Sequence, residues 1–119
     1  MAKIKYSDAA TQDLEQIGDY ISETLKNPIA ARNTVSRIQD AIDKLEEFPL
    51  IGSPLIPVMG SVTDYRFLVC GNYLAFYRVE DDIVSIGRIL YGKRNYLSVL
   101  FPNIAKNAES YFDLDKSSL

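Results

Sequence analysis

Histidine is absent from these 119 residues and cysteine occurs once. Without histidine the commonest general base is missing, so any catalysis must rest on carboxylates, lysine, arginine or tyrosine. That excludes histidine-based catalytic triads and most zinc chemistry. The lone Cys70 cannot form an internal disulfide. It falls in an apolar, strand-like run and reads as a buried, unreactive thiol, so neither a metal nor a cofactor is expected. No stretch approaches the roughly 18 to 20 apolar residues of a membrane span, and Met1-Ala2-Lys3-Ile4-Lys5 lacks the apolar core of a signal peptide. The expectation is a cytoplasmic protein with no membrane contact.

An excess of positive charge is lacking too. A net charge of −3 and an isoelectric point near 4.9 argue against a strongly basic nucleic-acid binder. The distribution is uneven. Residues 8–47 hold nine acids against four bases, whereas residues 48–101 hold four acids against Arg66, Arg78, Arg88, Lys93 and Arg94. Two faces with different partners would give this pattern, and so would a solvated helix surface.

With 47% hydrophobic and 24% charged residues, the chain has the composition of one ordinary globular domain. Ala2 to Tyr6 alternates in the two-residue period of a short strand. Ser7 stands where a helix N-cap belongs, with Asp8 in the first turn where the helix dipole favours an acid. Leu14, Ile17, Ile21 and Leu25 then share one helical face. Lys26-Asn27-Pro28 breaks that helix and starts another, with Asn27 as cap and Pro28 at the first position, where its missing N–H costs nothing. Val35, Ile38, Ile42 and Leu45 repeat the spacing, and so short a link predicts an antiparallel helical hairpin.

Phe48-Pro49 ends the hairpin. Leu50 to Gly60, rich in proline and glycine, predicts a connector with no regular element. Three strands follow at Tyr65–Cys70, Tyr73–Glu80 and Ile83–Tyr91, separated by turns at Gly71-Asn72 and Asp81-Asp82. They predict an antiparallel meander. Apolar residues occupy both parities, so each sheet face needs cover: the hairpin for one, the tail or a partner chain for the other. After Pro102, the run Ile104, Ala108, Tyr111, Phe112 and Asp115 predicts a short C-terminal helix capped by Asn103. The fold class is therefore α+β, with an N-terminal strand and a helical hairpin packed on an antiparallel sheet.

Leu45-Glu46-Glu47-Phe48-Pro49, Gly52-Ser53-Pro54, Tyr65-Arg66, Phe76-Tyr77-Arg78-Val79 and Ile86-Gly87-Arg88-Ile89-Leu90-Tyr91-Gly92-Lys93-Arg94, in that order, resemble the RelE/ParE toxin superfamily. The resemblance implies a toxin domain over 1–101 with an extension over 102–119. It implies a type II toxin–antitoxin pair of the plasmid-stabilisation kind, forming a hetero-oligomer with a cognate antitoxin. It also implies one of two targets: DNA gyrase, trapped on cleaved DNA by ParE-like members, or messenger RNA, cut in the ribosome by RelE-like members. Cleavage through a 2′-hydroxyl needs several cations and a proton carrier. By resemblance, Arg66 and Arg94 match two of those cations and Tyr96 or Tyr91 could replace the family's tyrosine. Leu68, Leu74 and Leu100 stand where the remaining groups would be. These departures favour the ParE-like branch, with Arg66, Arg88, Tyr91, Lys93 and Arg94 as the expected target-binding residues. The acidic isoelectric point and the extra tail leave a further alternative, a toxin-like fold that has lost toxicity and persists as a binding module. Arg78 and Arg88 also have a structural alternative, pairing with a helix carboxylate such as Asp13 or Glu15.

Overall fold

The computed structural model describes residues 1–55, 64–93 and 99–100. The chain divides into two compact units, 1–55 with 64–92, and 56–63 with 93–119. The elements below all belong to the first.

Strand β1 spans Lys3–Tyr6, its two lysines exposed and Ile4 and Tyr6 half-buried. Ser7 leaves it in extended geometry, and its Oγ accepts the Ala10 N–H at 3.0 Å, capping α1, Asp8–Asp19. A wider π-helical turn, Tyr20–Thr24, carries the helical path on, with the Leu25 N–H donating to the Tyr20 carbonyl. Lys26 takes a positive φ of 52° to reverse the chain. Asn27 Oδ1 then accepts the Ala30 N–H at 3.0 Å, and α2 runs over Pro28–Asp43. It ends in a 3-10 turn, Lys44–Glu46. Both predicted caps and the helical hairpin are present. The first helix reaches its expected end near Leu25 only through the π turn.

Strands β3 (Arg66–Cys70), β4 (Tyr73–Glu80) and β5 (Ile83–Tyr91) form the predicted meander. Gly71 at φ 64° and Asp81 at φ 54° turn its two corners. Two features differ from expectation. β1 joins the sheet parallel to β5, in register Lys3↔Ile83 to Tyr6↔Ile86, which makes the sheet mixed. The intervening chain supplies the long crossover that parallel pairing requires. The connector also holds a two-residue strand, β2 (Ser53–Pro54), antiparallel to β3. A proline is tolerated there because β2 is an edge. The order is β1-β5-β4-β3-β2.

The helices pack Ala10, Leu14, Ile38, Ile42 and Leu45 against Ala75, Tyr77, Val84, Ile86 and Ile89. Alternation along β4 and β5 sends Phe76 and Leu90 to the other face, where both are also buried. Both parities are thus sheltered, as the sequence required. The run from Asn103, expected to form a helix, lies outside the described residues. Among the described residues no helix is long and apolar enough to cross a membrane.

Cys70 is buried, and burial pushes its thiol up to about 11. Its reaction with a thiol reagent at pH 8 is expected to run on the order of 100-fold slower in the native protein than in urea, because only the thiolate reacts. Equal rates, read from absorbance of the released chromophore, would place Cys70 at the surface.

Candidate functional site

β1 stops at Tyr6, so among the described residues β5 beyond Ile86 has no strand on that side. The start of α1 closes the gap. The Ser7 N–H donates to the Ile86 carbonyl at 2.9 Å, and Ser7 Oγ donates to the Gly87 carbonyl at 2.7 Å. A register shift here pairs Tyr77 with Ile86 but Phe76 with Arg88, leaving Gly87 as the extra residue of a bulge. Past the bulge, buried Asp13 accepts three hydrogen bonds: Arg88 Nε at 2.8 Å, Arg88 Nη2 at 2.9 Å and the Ile89 N–H at 2.9 Å. These bonds raise the Arg88 pKa against the opposing effect of burial. Arg88 therefore has the helix-carboxylate partner that the sequence offered as its structural alternative.

Arg66 lies across from Tyr77 in the register, and both reach the chain after α2. Arg66 Nη1 donates to the Gly52 carbonyl at 2.9 Å and the Leu50 carbonyl at 3.4 Å. The Tyr77 hydroxyl donates to the Pro49 carbonyl and accepts the Gly52 N–H, each at 2.9 Å. Burial raises the Tyr77 pKa, with the Gly52 N–H and Arg66 opposing. The two side chains clamp residues 49–52. Leu50 and Ile51 within that segment, and Phe48 just before it, are exposed.

Tyr91 is exposed and meets Tyr73 edge to face, ring centroids 5.8 Å apart. The Gly92 N–H returns to the Asn72 carbonyl at 2.9 Å, and Lys93 is exposed. Arg94 and Tyr96 lie outside the described residues. Leu68 packs at the margin of the helix-side core, and Leu74 is half-buried on the other face. The structure thus separates the expected residues: Arg66 and Arg88 are engaged internally, while Tyr91 and Lys93 face solvent.

On the sheet face away from the helices, Lys5, Ser85 and Arg78 stand in register across β1, β5 and β4. Tyr65, just before β3, continues the row, with the Arg78 guanidinium 5.5 Å from its ring centroid. These residues, with Tyr6 and Gly87, line a depression of about 310 Å³. Arg78 Nη2 bonds Asp64 Oδ2 at 2.7 Å, both side chains more than half exposed. That hydrogen bond lowers the Asp64 pKa and raises that of Arg78. Arg78 does not take the helix carboxylate offered as its structural alternative: β4 lies between β5 and β3, whereas Arg88 stands on β5 beyond the last β1 pair, where α1 reaches the strand. Sequence reasoning missed this row. Its members are joined only by pairing between distant strands, although the polar parity of Lys5, Arg78 and Ser85 was visible.

Comparison with known proteins adds four findings. The profile of the ParE toxin of type II toxin–antitoxin systems (parDE) matches residues 4–96. A Sinorhizobium fredii protein assigned as a toxin, Y4kP, is 32% identical over 100 residues, covering 82% of this chain and 96% of its own length. The solved chromosomal ParDE system of P. aeruginosa contains a chain 25% identical, with a TM-score of 0.64, covering 76% of this chain and 96% of that one. A chain of the RelBE2 toxin–antitoxin complex of Mycobacterium tuberculosis shares the fold, with a TM-score of 0.54 over 76% of this chain and 96% of that one at 20% identity.

Proposed function

We propose, since the chain belongs to the ParE toxin family of type II toxin–antitoxin systems, that it arrests growth by binding DNA gyrase and holding it on cleaved DNA. The reading takes residues 1–101 as the toxin domain and 102–119 as an extension. One observation carries it. Of the five groups the nuclease branch would need, Leu68, Leu74 and Leu100 fill three positions with hydrocarbon, and Arg66 is spent on the Gly52 and Leu50 carbonyls. A phosphorane dianion would meet too few free cations. The tyrosines with resolved shifts do not help: burial raises Tyr6 to about 12 and also raises Tyr73 and Tyr77, away from a proton-transfer role near neutrality. A binding poison needs only a presented surface, and exposed Tyr91 and Lys93 supply candidates for it, followed in sequence by Arg94.

Purified chain added to gyrase and relaxed plasmid is expected to block supercoiling and leave linear DNA after detergent and protease. Tyr91→Ala combined with Lys93→Glu should raise the half-inhibitory concentration about tenfold with an unchanged melting temperature. Primer extension on messenger RNA after induction should show no codon-linked stops. Such stops, with supercoiling intact, would instead support the RelE-like alternative, in which Arg66, Arg94 and Tyr96 act on RNA in the ribosome.

A further inference from the structure

We propose that the row Lys5, Ser85, Arg78 and Tyr65 is a carboxylate-binding subsite for the antitoxin, and that Asp64 holds the place of the antitoxin's carboxylate in the unbound toxin. The proposal rests on the toxin–antitoxin reading of the chain.

Three features of the row carry it. A guanidinium offers five N–H donors, yet among the described residues Arg78 uses one, on Asp64. The Arg78 guanidinium sits over the Tyr65 ring, and both residues line the depression. Lys5 is exposed and has no ion pair among the described residues. Lys5 and Arg78 are two strand spacings apart, about 10 Å, so a partner bearing two acids could meet both cations while Ser85 lies between them. The site already displays its ligand chemistry in the Asp64 carboxylate.

The bond to Asp64 suits exchange. Its partners are 53% and 64% exposed, and pairs this open contribute little to stability. A partner with one acid on Arg78 and a second on Lys5 would engage one more cation than Asp64 does. A nucleic-acid phosphate is disfavoured. The chain carries a net charge of −3, and Asp64 and Glu80 flank Arg78, so the field around the row does not gather polyanions.

The test compares full-length toxin variants binding the co-encoded antitoxin, with dissociation followed by biolayer interferometry at low and high salt. If Asp64 is a competitor, Asp64→Asn tightens the complex about fivefold at low salt, and the gain fades at high salt. Arg78→Met and Lys5→Met each weaken it about tenfold, and Asp64→Asn has no effect once Arg78 is Met. A merely structural ion pair predicts the same sign for Asp64→Asn and Arg78→Met, and that result overturns the proposal. So does an Asp64→Asn variant that gains affinity for a DNA duplex in fluorescence anisotropy but not for antitoxin. A tight wild-type complex indifferent to Asp64 sinks the subsite alone. No complex at all between wild-type chain and antitoxin sinks the toxin reading together with it.

Discussion

Asp13→Ala is expected to lower the unfolding free energy by about 3 kcal/mol, read as a shift of the urea midpoint with an unchanged slope. The side chain is 7% exposed, against 29% for Arg88, so its removal strands a half-covered guanidinium and a buried Ile89 N–H together. Each loss is of a kind that cannot be repaired by rearrangement alone, because the N–H belongs to a strand already bonded to β4 on its other side. Asp13→Asn keeps the volume and one acceptor oxygen, and should cost less. Arg88→Met reverses the injury by leaving the carboxylate buried with one donor. In a double-mutant cycle Asp13→Ala and Arg88→Met should fall short of additivity by about 1 kcal/mol or more. Additive losses would mean that the two residues act independently and that the closure of the β5 edge does not depend on their pairing.

The second large effect is expected from the smallest residue change. A Cβ built on Gly52 would lie 2.5 Å from the Tyr77 hydroxyl, 2.7 Å from its ring and 2.8 Å from the Phe67 carbonyl. None of these can yield easily. Tyr77 is fully buried, and the carbonyl belongs to β3 where β2 pairs with it. Gly52→Ala should therefore displace the 49–52 clamp and cost about 2 kcal/mol. Tyr77→Phe separates the causes. It removes both hydroxyl bonds, leaves the buried Gly52 N–H without its acceptor and should cost about 1 kcal/mol. Gly52→Ala placed on that background keeps the ring and carbonyl conflicts, so it should still destabilise. A loss below about 0.5 kcal/mol in either setting would mean that the clamp shifts freely and does not hold the exposed Phe48, Leu50 and Ile51.

What could be read from the chain divides by range. Ser7 and Asn27 cap their helices through atoms three residues away, so local spacing sufficed to find them. The corners at Gly71 and Asp81 were legible for the same reason. Asp13 was nearly so. It lies on the buried stripe of α1 with Ala10 and Leu14, whereas Glu15 lies off it and is exposed, so helical periodicity already preferred one carboxylate over the other for Arg88. The parallel docking of β1, the short β2 and the row from Lys5 to Tyr65 were not legible. Each depends on a pairing register between segments far apart, and alternation tells which face a residue takes without telling which neighbour it meets. Arg66 shows the converse limit. Residue type and position matched a catalytic cation, but its use was decided by carbonyls that the preceding loop brought to it.

The pairing of β1 with β5 joins the first element to the last strand of the meander, Lys3 to Ile83. Contacts of such long sequence separation slow folding, since a large loop must close before they reward it. On the ribosome, the partner of β1 and both donor residues of the Asp13 clasp are made well after the segments they join. A growing chain that has not yet reached Ile83 holds an open strand edge and an unclasped acid, so the fold cannot close until β5 has been made. An antitoxin already present has that interval in which to be waiting.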